Sequence, residues 1–176
     1  MDDAPAIAKV RVESWRTTYR GMVPDAYLDS MNVDASTMLW HRVLTAGPNT
    51  THTFVAEAAG QVVGFASGLM LAPPKHELDA ELSAVYVQAG HQRMGLGRRL
   101  VGAVAAAQRA LGATGLLVWV IAANRKARHF YEKLDAELLI EQRFQWDGLD
   151  LVEAGYGWRD LEALMTACGP VDMLQH

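Results

Sequence analysis

Cysteine is nearly absent from this chain: Cys168 is the only one among 176 residues, so no intrachain disulfide can form and a secreted disulfide scaffold is excluded. A reducing, cytoplasmic setting is expected. Long apolar runs are missing too, since none approaches the ~18 residues of a membrane span. The opening Met1-Asp2-Asp3-Ala4-Pro5 is acidic, where a signal peptide would be basic and then apolar. No membrane partner is expected. A third absence is local. Residues 82–131 contain no Asp or Glu, while Arg93, Arg98, Arg99, Arg109, Arg125, Lys126 and Arg128 give that stretch +7. The whole chain carries 16 basic and 20 acidic residues, a formal −4, which leaves nine basic against twenty acidic residues elsewhere, or −11. Such a balance argues against nucleic acid as a partner and suggests an anionic ligand bound in one place.

What is present is the composition of a packed globular protein: 51% apolar and 20% charged residues. The length suits one domain spanning 1–176. Helical periodicity runs through Ile7, Val10, Trp15 and Tyr19, with Asp3 a candidate N-cap. A second helical segment, residues 24–44, breaks near Asn32-Val33-Asp34 and stops at Gly47-Pro48-Asn49. Residues 53–57 and 62–70 flank a Gly-containing loop and predict an antiparallel hairpin, ended by Pro73-Pro74. After a polar loop through Asp79, residues 80–87 predict a third strand. Leu100, Val101, Val104 and Leu111 then mark a helix from Arg98, closed by Gly112. Residues 116–121 form a continuous apolar run, as in a strand covered on both faces. Asn124 caps a helix carrying Phe130 and Tyr131, and two strands around 137–146 and 149–158 are joined by Asp147-Gly148. A short helix follows Asp160. The middle therefore reads strand, Gly-rich loop, helix, strand, helix, with antiparallel hairpins on either side. The expected fold is α/β with a mixed sheet.

The Gly-rich loop Gln92-Arg93-Met94-Gly95-Leu96-Gly97 lies between a strand and the first turn of a strong helix. Unpaired N–H groups and the helix dipole there favour an anion, and glycine at 95 and 97 lets a phosphate approach the main chain. No G-x-x-x-x-G-K-[ST] sequence exists, and a dinucleotide fingerprint would need glycine in place of Leu100. Neither a P-loop nor a Rossmann site is expected. The segment Ala80-Glu81-Leu82-Ser83-Ala84-Val85-Tyr86-Val87, the loop running on through Arg98-Arg99-Leu100, and Asn124 with Tyr131 seven residues later together resemble the GNAT superfamily of acetyl-CoA-dependent N-acetyltransferases. Residues 15–28 and 40–68 resemble that family more loosely. Two departures are visible: no strand precedes the first helix, and Asp135-Ala136 replaces the family's usual turn with Gly and an aromatic.

The resemblance implies a GNAT-like fold, a mostly antiparallel mixed sheet with one splayed parallel pair, and acetyl-CoA as acetyl donor. The backbone of Val85, Tyr86 and Val87 would hold the pantetheine arm. The N–H groups of Gln92, Arg93, Met94, Gly95, Leu96, Gly97 and Arg98 would cradle the pyrophosphate. Asn124 would contact the cofactor arm while still capping its helix. An amine with a pKa near ~10.4 is mostly protonated at neutral pH, so transfer needs a base. Glu81, directly or through water, is the candidate, with Glu137 and Asp147 in reserve. Tyr131 is the candidate general acid for the departing thiolate. The plainer alternatives are an ordinary strand carboxylate and a core tyrosine. His76-Glu77 lacks the second histidine of a zinc motif, and no metal is implied. No G-x-S-x-G elbow exists, so direct transfer is favoured over an acyl-enzyme. The acceptor would be a small-molecule amine or a protein N-terminus, and family habit suggests a homodimer. A non-catalytic acyl-CoA-binding or sensing module of the same fold stays open beside the transferase.

Overall fold

The computed structural model describes residues 3–46 and 51–170. The first helix, α1, spans Ala4–Thr18 with Pro5 in its opening turn, where a missing N–H costs nothing. Asp3 sits at its N-cap, but its side chain makes no capping bond; the position contributes its carbonyl to Ile7 N–H instead. The second helical stretch divides as expected into α2, Asp25–Ser30, and α3, Val33–Thr45. Asn32 explains the break, because its side chain accepts from the N–H groups of Asp34 and Ala35 and starts a new helix. Gly47-Pro48-Asn49 lies outside the described residues.

Strands β1, Thr51–Ala58, and β2, Gln61–Lys75, form the expected hairpin, but Pro73-Pro74 does not end β2. Pairing with β3, Leu78–Val87, lapses between Met70 and Lys75, so the prolines occupy a gap in the ladder where no N–H is needed. The loop expected through Asp79 shrinks to a tight turn at His76 and Glu77, both with positive φ. Asp79 belongs to β3, and its carboxylate accepts from Thr114 N–H, Thr114 Oγ1 and Gly115 N–H at 2.9–3.1 Å.

The loop helix, α4, covers Leu96–Ala110 and so begins two residues before Arg98. Strand β4, Leu116–Ile121, and helix α5, Arg125–Glu132, follow. Strands β5, Glu137–Trp146, and β6, Leu149–Trp158, precede α6, Leu161–Cys168. These last five strand and helix starts agree with the sequence reading. The six strands stand in the order β1-β2-β3-β4-β6-β5, antiparallel throughout except for β3 beside β4. Among the described residues no strand precedes α1, and β1 is the sheet's edge on that side.

Helices cover both faces. One core layer joins the sheet to α4, α5 and α6 through Leu100, Val101, Val104, Tyr156, Trp158 and Leu164. On the other face α1 and α3 meet Val55 and Phe65. A third, aromatic cluster of Trp15, Tyr19, Val23 and Leu28 closes the sheet's end against Tyr86, Ile121, Trp146 and Leu149.

Candidate acetyl-transfer site

The parallel pair defines the site. β3 and β4 share register only at Ala80↔Leu116, Glu81↔Leu117 and Leu82↔Val118, after which the strands have no further paired positions. β3 stays paired on its other side, with Val87 opposite Gly64, Tyr86 opposite Phe65 and Val85 opposite Ala66. The backbone of Val85–Val87 therefore lacks a strand partner on the β4 side. A bulge marks the divergence: Ala84 faces Ser67 and Leu82 faces Gly68, leaving Ser83 as the extra residue, its hydroxyl donating to Ser67 O at 3.0 Å. The inserted residue resets the alternation, so Val85 and Val87 pack on the α4 side with Leu82, while Tyr86 turns to the opposite face.

Beyond Val87 the chain makes one short turn at Ala89–His91 and enters the expected loop. Gln92 Nε2 folds back to donate to Val87 O at 2.9 Å. Arg93 has φ +63° and Gly95 φ +79°, successive left-handed bends that turn the main chain into α4. The first helical bond of α4 runs from Arg99 N–H to Gly95 O, so the N–H groups of Leu96, Gly97 and Arg98 have no acceptor one turn earlier. A Cβ on Gly97 would stand 3.4 Å from the Phe130 ring, an ordinary contact, so the packing of α5 on α4 does not itself require glycine here. Exposed N–H groups at a helix start, without a Cβ at 95 or 97, fit a pyrophosphate.

The charge around the loop is narrower than the sequence suggests. Arg109 pairs with Glu162 across α4 and α6. Arg128 is committed four ways, to Glu141 at 2.7 Å, the Tyr156 hydroxyl at 2.9 Å, Ala122 O at 3.2 Å and the Tyr156 ring face. Its donors are thus taken up within the fold rather than left for an anionic ligand. Among the described residues, Arg93, Arg98, Arg99, Arg125 and Lys126 have no acidic partner.

Two predicted side chains, Asn124 and Tyr131, lie near the Tyr19 phenol, and one stands apart. Asn124 is buried, and its Oδ1 accepts Ala127 N–H at 3.1 Å, the expected cap. The same side chain reaches the Tyr19 hydroxyl, which also meets Tyr86. Tyr131 is buried against the rings of Phe130, Tyr156 and Trp158. Burial above all, and then the nearby Tyr86 phenol, push its pKa well above that of a free tyrosine. Tyr19 is raised likewise, by burial first and then by the Tyr86 and Tyr131 phenols. Three phenols, from the end of α1, β3 and α5, thus lie near one another, with Tyr19 beside Asn124, and stay protonated. Glu81, half-buried on β3, is held above the usual carboxylate range by desolvation, with Lys75 opposing and Glu153 adding to the shift. The reserves separate. Glu137 pairs with Arg159 at 3.5 Å, whereas Asp147 lies close to the Tyr27 phenol at the aromatic end and helps raise its pKa.

Trp15, Tyr19 and Tyr27 belong to the aromatic cluster at that end, and Trp40 belongs to the core against Phe65. Trp146 joins the cluster unforeseen, 4.8 Å from Trp15 and 5.2 Å from Tyr27. Its position immediately before the Asp147-Gly148 turn was the available signal, since hairpin tips overhang sheet ends. Among the described residues, no group of three or more His, Cys, Asp or Glu side chains is placed to hold a metal. Cys168 is buried in the α4–α6 core, and burial pushes its thiol up to about 11.

Comparison with known proteins agrees with this geometry. The acetyltransferase (GNAT) family model matches residues 11–136. An uncharacterized N-acetyltransferase of Bacillus subtilis, YuaI, is 37% identical over 94% of this chain and 93% of its own. A probable N-acetyltransferase of Mycobacterium tuberculosis is 29% identical over 88% of this chain and 87% of its own. The PaiA N-acetyltransferase of Thermoplasma acidophilum, crystallised in complex with coenzyme A, superposes with a TM-score of 0.65 at 20% identity, covering 86% of this chain and 91% of that one. The chain belongs to the GNAT family of acetyltransferases. It is an acyltransferase with acetyl-CoA as cosubstrate.

Proposed function

We propose that the protein moves the acetyl group of acetyl-CoA directly to a primary amine, with Tyr131 as proton donor and Glu81 as base. The observation that supports this reading is the splay: β3 and β4 share no paired position after Leu82, the Tyr131 and Tyr19 phenols lie near Tyr86 just beyond it, and α4 starts at Leu96. Bound there, acetyl-CoA supplies an activated thioester. The open main chain of Val85, Tyr86 and Val87 takes the pantetheine amides, and the N–H groups from Arg93 to Arg98 take the pyrophosphate. Glu81 removes a proton from the incoming ammonium, helped by a pKa lifted through burial. Tyr131 remains a neutral phenol at working pH and donates to the sulfur as negative charge develops. Because a thiolate of pKa about 8.5 is the weaker base, the phenol regains its proton from the attacking nitrogen. Cys168, buried in the core among α4 and α6, takes no part.

A screen for acetyl-CoA-dependent thiol release across amine classes, paired with calorimetric titration of CoA, tests the proposal. Thiol release with at least one amine is expected. Binding of CoA with no release from any amine would favour the sensing module instead. Gly97→Arg should abolish CoA binding while the fold persists, because the added Cβ would meet the Phe130 ring at 3.4 Å, an ordinary contact, and the position has no left-handed φ. Undiminished CoA affinity in that variant would sink the pyrophosphate assignment.

A further inference from the structure

Three arginines lie along α1 and the turn after it, and two are fully committed. Arg16 donates to the carbonyls of Leu28, Asp29 and Met31 at 3.1, 3.4 and 2.7 Å and ties down the end of α2. Arg20 pairs with Asp25 and Asp29. Arg11 differs. It is half-buried, yet among the described residues no carboxylate pairs with it. Its one side-chain hydrogen bond is a long one, 3.5 Å to the Ser36 hydroxyl, and its guanidinium lies 5.4 Å from the Trp15 ring centre. Five N–H donors in a planar fork are therefore mostly unused. A cation partly withdrawn from water is costly without an anion, and stacking on one indole recovers only about 0.5–1 kcal/mol.

The place matters as much as the vacancy of partners. Trp15 Nε1 donates to the Tyr86 hydroxyl at 3.0 Å, linking the ring that supports Arg11 to the strand on which the donor is proposed to lie. The positive charge of Arg11 is felt by the Tyr86 phenol, where it opposes the upward push of burial, and by Tyr27. Trp146 and Tyr27 extend the same aromatic wall. Glu81 stands farther down β3, near Glu153, and offers negative charge. A cation thus stands at the aromatic cluster, and two carboxylates, Glu81 and Glu153, stand farther along the sheet.

We propose that the acceptor is a carboxylate-bearing amine, its ammonium drawn toward Glu81 and its carboxylate bound by the Arg11 fork while Trp15 holds the guanidinium in place. This rests on the N-acetyltransferase reading and deepens it. Guanidinium and carboxylate match as two parallel hydrogen bonds, a geometry an ammonium cannot copy. Arg11 would be a specificity residue that touches substrate, not part of the proton-transfer chemistry. Free amino acids and short peptides ending in, or flanked by, a carboxylate share this recognition chemistry.

The test compares acceptors that differ only in the carboxylate: free amino acids against their carboxamides, and dipeptides against their amidated forms. Wild type, Arg11→Gln and Arg11→Lys are assayed by thiol release, and binding of the same compounds to the CoA-bound protein is followed by calorimetry. The expected result is a ten- to hundredfold fall in kcat/KM for carboxylate acceptors in Arg11→Gln, about the worth of one charge-assisted contact, carried mainly by KM. Arg11→Lys should recover part of it, and carboxamides should be poor acceptors little changed by either variant. Amino acids preferred over dipeptides would place the carboxylate source in a small molecule, and the reverse order in a peptide. Equal losses for both members of each pair, or carboxamides that match carboxylates in wild type, would overturn the assignment and leave Arg11 a packing residue. Carboxylate-dependent binding without thiol release would uphold Arg11 and defeat the transferase reading instead.

Discussion

Tyr131 and Glu81 owe their proposed chemistry to burial, and each predicts a separable outcome. A phenol raised by desolvation stays protonated across the working range, so replacing it with Phe removes a donor without removing a charge. Tyr131→Phe should lower kcat by about 10²-fold or more, the usual worth of a positioned acid, while CoA affinity in calorimetry holds. An unchanged rate would return Tyr131 to the core. Glu81 carries the opposite sign. It works only when deprotonated, and its raised pKa means kcat/KM should fall with decreasing pH at a point above that of an ordinary glutamate. In Glu81→Gln that acid limb should vanish and the plateau drop. A pH profile identical in shape to wild type would exclude the base assignment.

Among elements, the turn entering β4 is set by one carboxylate. Asp79 is desolvated, which raises its pKa, but the N–H groups of Gly115 and Thr114 and the Thr114 hydroxyl outweigh that and hold it below the usual carboxylate range. A depressed folded-state pKa means the contribution is fully present above the unfolded value of about 3.9 and is lost as pH falls through the lower folded value. Asp79→Ala should therefore cost about 1 kcal/mol at neutral pH, kept modest by solvent screening of a half-exposed group. Urea unfolding at pH 7 and pH 2.5 checks this: the gap between variant and wild type should close in acid. A gap that persists would mean the loss lies in packing.

Taken as a whole, the molecule shows which features a one-dimensional reading can reach. Residues 137–146, 149–158 and 116–121 match their strands because alternation and apolar runs are properties of contiguous sequence. The Gly95-x-Gly97 loop and the Asn124 cap were equally accessible, since each acts through its own backbone. The continuation of β2 past Pro73-Pro74 was not, because it depends on a gap in a neighbour's ladder. The Ser83 bulge and the convergence of Tyr19, Tyr86 and Tyr131 likewise require the sheet order, which no local pattern encodes. The engagement of Arg128 with Glu141 follows from β5 lying outside β6.

The divergence of β3 from β4 leaves a protein whose central sheet is incomplete on its own. The amides of residues 84–87 that face the gap are expected to exchange with solvent far sooner than their counterparts on β2. The donor, by filling the gap, would act as an interchangeable seventh strand that is consumed and replaced at every turnover. Hydrogen exchange should then slow selectively at residues 84–87 and 94–98 when CoA is added. Thermal stability should rise with ligand by mass action, by about 2.7 kcal/mol at a hundredfold excess over Kd. Catalysis and folding cooperativity would draw on the same unmade backbone hydrogen bonds, so a cell short of acetyl-CoA would hold this protein in its looser form.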